Sequence, residues 1–130
     1  MGGPSKPGLH ADLTEEIIGA AIEVHRVLGP GLLESAYEAC LCQELSLRNI
    51  RCDRQIELPI QYKGIEIRPA FRMDLVVDNR VVIEVKAVDA LDPIHEAQLL
   101  TYLRLSQLQV GLLLNFKVPF LRNGVRRLSL

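Results

Sequence analysis

The 130-residue chain contains no tryptophan and only three phenylalanines and three tyrosines. So few rings leave no long platform on which the bases of a single nucleic-acid strand could stack. No apolar run approaches the roughly 18 residues that a membrane-spanning helix needs. The first ten residues, Met1 to His10, lack the apolar stretch of an export signal. Cysteine is scarce, at Cys40, Cys42 and Cys52. Cys40 and Cys42 are two apart with no second pair following, which argues against a zinc knuckle and for small apolar residues on a packed helix. Cysteines without an export signal imply reduced thiols and a cytoplasmic protein. Nor is there an excess of either charge: the net is −1, far from the basic signature of a high-affinity nucleic-acid module. Internal repeats and low-complexity tracts are missing.

What remains is ordinary globular composition, 48% apolar and 24% charged, sufficient for one domain. Residues 1–11, rich in glycine and proline, read as a flexible lead-in, and 12–130 as a single domain. Charge is unevenly spread. Residues 12–50 hold seven acids and two arginines, whereas 51–130 hold twelve lysines or arginines and nine acids. The stretch from Lys117 onward has four bases (Lys117, Arg122, Arg126, Arg127) and no acid, which permits a basic tail beside an acidic site.

The spacing predicts a first helix starting near Asp12 or Thr14, with Asp12 and Glu15 at capping-box distance. Leu13, Ile17, Ala21, Val24 and Leu28 form its apolar stripe, and Gly29-Pro30-Gly31 stops it. A second helix is expected from Leu32 to Arg48, with Leu33, Tyr37, Cys40, Leu41, Glu44 and Leu45 on its stripe and Asn49 closing it. The period then changes to two. Ile56, Leu58, Ile60 and Tyr62 alternate with polar residues, and Pro59 marks an edge strand or a bulge. Lys63-Gly64 is a turn, Ile65–Arg68 a short return and Phe71–Val77 a further strand. Val81–Val88 is apolar at nearly every position, as in a central strand buried on both faces. Asp92-Pro93 starts a third helix to about Ser106, Val110–Phe116 is another buried strand, and Asn123-Gly124 suggests a final hairpin between Phe120–Arg122 and Val125–Leu130. A helix between two buried strands implies a parallel pair with helices on the sheet faces.

Glu84 and Lys86 lie inside the most apolar strand, two apart and therefore on one face. Asp74 sits among Met73, Leu75 and Val76 in the preceding strand. A buried charge must be paired or bound to a metal. Two carboxylates and an ammonium on one face of a hairpin suit a magnesium site, with hard oxygen ligands for the ion and a lysine near the attacking water or the scissile phosphate. The same spacing equally fits an ion pair of Lys86 with Asp74 or Glu84 that serves structure only. The metal reading makes a geometric demand. A two-residue turn at Asp78-Asn79 would pair Asp74 with Ile83 and turn it away from Glu84. The connection must therefore be odd in length, or bulged. Two like charges so close should also drive at least one carboxyl well above its ordinary pKa, less so because of Lys86.

The order of Asp74, Glu84-Val85-Lys86 and a helix carrying Gln98 and Tyr102 resembles the PD-(D/E)XK nuclease superfamily. Gln98-Leu-Leu-Thr-Tyr102 matches the Q-x-x-x-Y motif of its RecB-type members, and Gly31-Leu-Leu-Glu34-Ser-Ala-Tyr37 resembles the signature of the small GxxExxY proteins. The resemblance runs from about Leu13 to Phe116. It departs at Met73, where the superfamily's name has proline. It implies an α/β fold with a restriction-endonuclease-like core (helix, three antiparallel strands, helix, strand), an extra N-terminal helix and a C-terminal hairpin. It further implies a Mg2+- or Mn2+-dependent nuclease acting on nucleic acid, DNA rather than RNA. Asp74, Glu84 and the backbone carbonyl of Val85 would be metal ligands. Lys86 would activate or orient the nucleophilic water, Glu34 would reach the metal directly or through water, and Gln98 and Tyr102 would line the site.

Other residues carry weaker signals. His25 is either a further metal ligand, as some RecB-type nucleases have on a helix, or a half-buried polar residue. Tyr37 reads as a packed ring with a bonded hydroxyl, Glu44 as a solvated or paired charge, and His95 as a residue of the third helix's first turn. Two competing classes remain: a module that keeps the fold but only binds nucleic acid or protein, and a subunit of a homo-oligomer or a larger nuclease or defence complex.

Overall fold

The computed structural model describes residues 8–130. Most of the expected lead-in thus lies outside the described residues, but its last part is built into the fold. Gly8 to His10 form a turn, Leu9 packs on the core, and helix α1 (Ala11–Leu28) already includes Ala11. That early start displaces the expected capping box. Asp12 falls inside the first turn, the cap position goes to left-handed His10, and the Thr14 hydroxyl donates to the Ala11 carbonyl instead. Leu13, Ile17, Ala20, Ala21 and Val24 are buried, as a helical stripe requires, whereas Leu28 is exposed at the helix end. Gly29, with φ of 71°, turns the chain there.

Helix α2 (Glu34–Leu47) begins two residues later than its pattern suggested, leaving Leu33 extended and 77% exposed. Tyr37, Leu41 and Leu45 are its buried face. The helix ends in a Schellman closure around Asn49. The Ile50 amide donates to the Leu45 carbonyl and the Asn49 amide to Ser46, with Asn49 at φ 62°.

Five strands follow in one sheet of order β1-β2-β3-β4-β5. They are β1 (Cys52–Tyr62), β2 (Ile65–Val77), β3 (Val81–Lys86), β4 (Val110–Asn115) and β5 (Val125–Ser129). The first three are antiparallel. Helix α3 (Pro93–Ser106) crosses from β3 to β4, which are parallel. This is the restriction-endonuclease-like order: helix, three antiparallel strands, helix, strand. Pro59 lies on the edge strand, at a register shift between Leu58 and Ile60, where a missing amide costs no central ladder bond. The return and the strand expected on either side of Pro69 form one continuous β2. The terminal pair also differs from its expectation. Val125–Ser129 pairs with β4 rather than with Phe120–Arg122, and Leu121–Gly124 is a 3-10 turn. Gly124 packs so closely on the Asn115 carbonyl that a side chain would not fit, which seats the turn against β4 and delivers the next residues to its open edge.

The sheet divides the core in two. Leu75, Val77, Ile83, Val85, Leu112 and Leu114 face α1 and α2, while Val76, Val82 and Leu113 face Leu99 and Leu103 of α3. The loops beyond the carboxyl ends of β3 and β4 are tied down by buried polar groups. Asn115 accepts from the amides of Val88 and Lys117 and donates to the Val88 carbonyl. At the start of α3, the amide of Asp92 donates to His95 Nδ1, so His95 caps the helix. Tyr37 is fully buried, stacks on Phe116 at 4.4 Å, donates to the Gly29 carbonyl and accepts from the Leu32 amide. It staples the α1–α2 loop to the end of β4. Tyr37→Phe strands two main-chain groups at this point, so denaturant unfolding should show a loss of about 1–3 kcal/mol.

Candidate functional site

β2 and β3 are joined by three residues, Asp78 to Arg80, with Val77 paired to Val81, Val76 to Val82 and Leu75 to Ile83. The connection is odd in length, as the metal reading demanded. The next position in register sets Asp74 opposite Glu84. The main-chain ladder stops there and side chains take it over. The amide of Asp74 donates to Glu84 Oε2 at 2.9 Å, and the amide of Val85 donates to Asp74 Oδ2 at 2.8 Å. Each carboxylate is thus fixed by one oxygen to the other strand's backbone, which leaves Asp74 Oδ1 and Glu84 Oε1 free of protein donors among the described residues. In a strand the N–H and C=O of one residue point to the same edge. The Val85 carbonyl therefore faces the same gap as its amide.

The electrostatics follow from this placement. Glu84 is 3% exposed. Burial, then the charge of Asp74, pushes its pKa up to about 8, against the pull of its hydrogen bond and of Lys86. Asp74 is raised too, first by burial and further by Glu38 and Glu34, while the Val85 amide and Lys86 hold it down. Lys86 is half-buried and acts on both acids. Among the described residues, however, it makes no ion pair within 4.0 Å. The structural alternative, a buried Lys86 salt bridge, is therefore not what holds this strand.

Both helical layers reach the gap. Glu34, at the start of α2, accepts from the amide of Ala87, the residue after Lys86. Tyr102 on α3 is half-buried, stacks on Phe71 at 4.9 Å and has its hydroxyl pKa raised by burial and by the charges of Glu84 and Asp74. Gln98, one turn earlier, is exposed. His25 is buried with its Nε2 2.8 Å from the Val118 carbonyl, so of its two ring nitrogens Nδ1 is the one left for a ligand. Glu38 was not singled out by its spacing, yet it is 4% exposed and its charge reaches both Asp74 and Glu84. The available signal was its place four residues after Glu34, on the same helix face. Asn115, opposite Lys86 in the sheet, was also missed.

Among the described residues no three His, Cys, Asp or Glu side chains gather closely enough to cage a metal. The donor set is two carboxylates and a carbonyl, all hard oxygens. That set fits Mg2+ or Mn2+, because Mg2+ keeps several waters and takes one or two carboxylates. It suits neither zinc nor copper, which favour nitrogen and sulfur.

A family model described as the PD-(D/E)XK nuclease superfamily matches residues 11–128, and the chain belongs to that superfamily. Searches of curated proteins and of solved structures returned no significant match.

The raised Glu84 has a measurable consequence. Between its ordinary value of 4.5 and about 8, the metal-free folded protein keeps a proton that the unfolded chain has released. Stability is therefore full below that window and falls as pH rises through it. Urea unfolding from about pH 5 to about pH 8 should show the fall in the wild type, and a flatter profile in Glu84→Gln. Millimolar Mg2+ or Mn2+ should raise the melting temperature most at the alkaline end, where the carboxylate is free to bind.

Proposed function

Taking that membership as the premise, we propose that the domain is a Mg2+- or Mn2+-dependent nuclease that hydrolyses phosphodiester bonds in nucleic acid, with DNA as its substrate. The observation that carries this reading is the pair of facing, buried carboxylates, each held by a main-chain amide through one oxygen, beside a lysine that pairs with neither. A purely structural site would close that charge internally.

In this reading Asp74 Oδ1, Glu84 Oε1 and the Val85 carbonyl hold the ion. When bound, it stabilises the charge that develops on the phosphate and lowers the pKa of water. Lys86 orients the attacking water and offsets phosphate charge, its ammonium free because no protein carboxylate claims it. Glu34 is fixed by the Ala87 amide and reaches the site through water. Tyr102 presents its hydroxyl beside the acids, and Gln98, on the exposed side of the same helix, contacts the phosphate backbone. The Q-x-x-x-Y spacing of these two residues supports a RecB-type member. Gly31, Glu34 and Tyr37 support the GxxExxY branch, with Tyr37 the staple of the loop that carries Glu34.

A cleavage assay on a panel of nucleic acids with Mg2+ or Mn2+ tests this assignment. Lys86→Ala should abolish cleavage but leave metal binding intact or tighter, since it removes a positive charge next to a cation. Glu84→Ala should lose both. Gln98→Ala should cost less, because a neutral amide contributes orientation only. If Lys86 were instead a structural ion-pair partner, its removal would cost about 3–5 kcal/mol of stability. A wild-type cleavage rate in Lys86→Ala would overturn the mechanism.

A further inference from the structure

We propose that Glu38 and Gln55 are positioning residues that twist the β1–β2 ribbon so that Asp74 is presented to Glu84, an inference that rests on the nuclease reading of that site. The argument begins with ladder parity. The Asp78 amide donates to the Arg51 carbonyl across β1–β2, while the Val77 carbonyl is turned to the other side and accepts from the Arg80 amide. Strand alternation then aims the amides of Val76 and Asp74 at β1. In a regular ladder Asp74 would donate to the carbonyl of Gln55. The register instead runs Arg54 to Leu75 and Ile56 to Met73, skipping the pair Gln55 and Asp74, and the Asp74 amide goes to Glu84 Oε2.

Packing shows the same break independently. Residues two apart in a strand share a face. Leu75 and Val77 pack with α1 and α2, yet Met73 packs with α3. Across the ribbon, Cys52 lies on the first side and Ile56 and Leu58 on the second. Both strands exchange faces at Gln55 and Asp74.

The cause sits in the backbone of Gln55, whose φ is 53°, a left-handed conformation that side-chain-bearing residues rarely adopt. Its side chain is held at both ends. Gln55 Nε2 donates to Glu38 Oε1 at 2.6 Å, and Arg72 donates to Gln55 Oε1 at 3.4 Å. Arg54 donates to the same Glu38 oxygen at 3.3 Å. Glu38 is buried on a helix of the core, which fixes its end of the anchor, while Gln55 itself lies at the surface. Both donors meet at Glu38 Oε1, and through Gln55 that oxygen acts on the ribbon.

Four variants test the assignment: Gln55→Val, Gln55→Gly, Glu38→Ala and the double Glu38→Ala/Gln55→Gly. Valine resists the left-handed conformation, whereas glycine takes it without an anchor. The readouts are calorimetric Mn2+ affinity and, without metal, hydrogen exchange of the Asp74 amide, on proteins whose circular dichroism shows them folded. Gln55→Val and Glu38→Ala should each bind Mn2+ roughly 10–100-fold more weakly and lose Asp74 protection, while Gln55→Gly and the double variant stay within about threefold of wild type. Wild-type Mn2+ affinity in Gln55→Val or in Glu38→Ala overturns the proposal. A double variant as weak as Glu38→Ala also overturns it, by making Glu38 act directly. If Glu38→Ala does not fold, Gln55→Val against Gln55→Gly decides. If the wild type binds no Mn2+, the nuclease reading fails, and Asp74 protection alone then decides the positioning role.

Discussion

The pair of crossed bonds, from the Asp74 amide to Glu84 and from the Val85 amide to Asp74, is the constraint around which the rest of the domain is arranged. Two like charges are placed opposite each other where the sheet is most buried, and each is satisfied by an amide that the ladder would otherwise have paired. The carboxylates thus end the β2–β3 ladder and form the site in one step. A hydrogen bond to a charged group contributes about 1.5–3 kcal/mol. Burying an ion costs several kcal/mol even after relaxation. The amides therefore orient the acids without fully compensating them, and the raised Glu84 records the remainder.

Layering explains why such a place exists. β3 is hydrogen-bonded on both edges along its first half and covered on both faces, so its interior residues are dry. β2 leaves it at Leu75, and the gap opens beside the carboxyl end of the parallel β3–β4 pair, where the loops are pinned by Asn115, Tyr37 and the Glu34–Ala87 bond. Helix α2 contributes Glu34 and Glu38 from one side, and α3 contributes Tyr102 from the other.

Much of this was legible in the sequence because it depended on local signals. The run Val81–Lys86 announced a central strand by having almost no polar residue, and that made Glu84 and Lys86 conspicuous. The odd β2–β3 connection was one of the two solutions that chemistry allowed, since an odd count or a bulge brings Asp74 to the face of Glu84. What stayed hidden depended on partners remote along the chain. Glu38 looks like any helical glutamate until Arg54 and Gln55 are brought beside it. Asn123-Gly124 is a strong hairpin signal, overridden because β4 offers an open edge and Asn115 a close seat for Gly124. The Val118 carbonyl at His25 Nε2 is likewise a contact 93 residues away that no local pattern announces. Asp12 and Glu15 have the spacing of a cap, but the helix starts two residues before they could use it.

Lys86 separates a site from a scar. An ion pair retained only for structure would have closed: a flexible four-carbon side chain two residues from Glu84, on the same face, can reach a carboxylate, and at low dielectric the attraction is large. It has not closed, and burial, with the charge of Asp74 added, holds Glu84 near pH 8 rather than near 4.5. The imbalance runs in the direction that a divalent cation corrects. Its charge would return both acids to their ionised state and leave Lys86 for an incoming phosphate, so the features that make the metal-free fold less stable at alkaline pH are those that a nuclease needs in order to bind its ion.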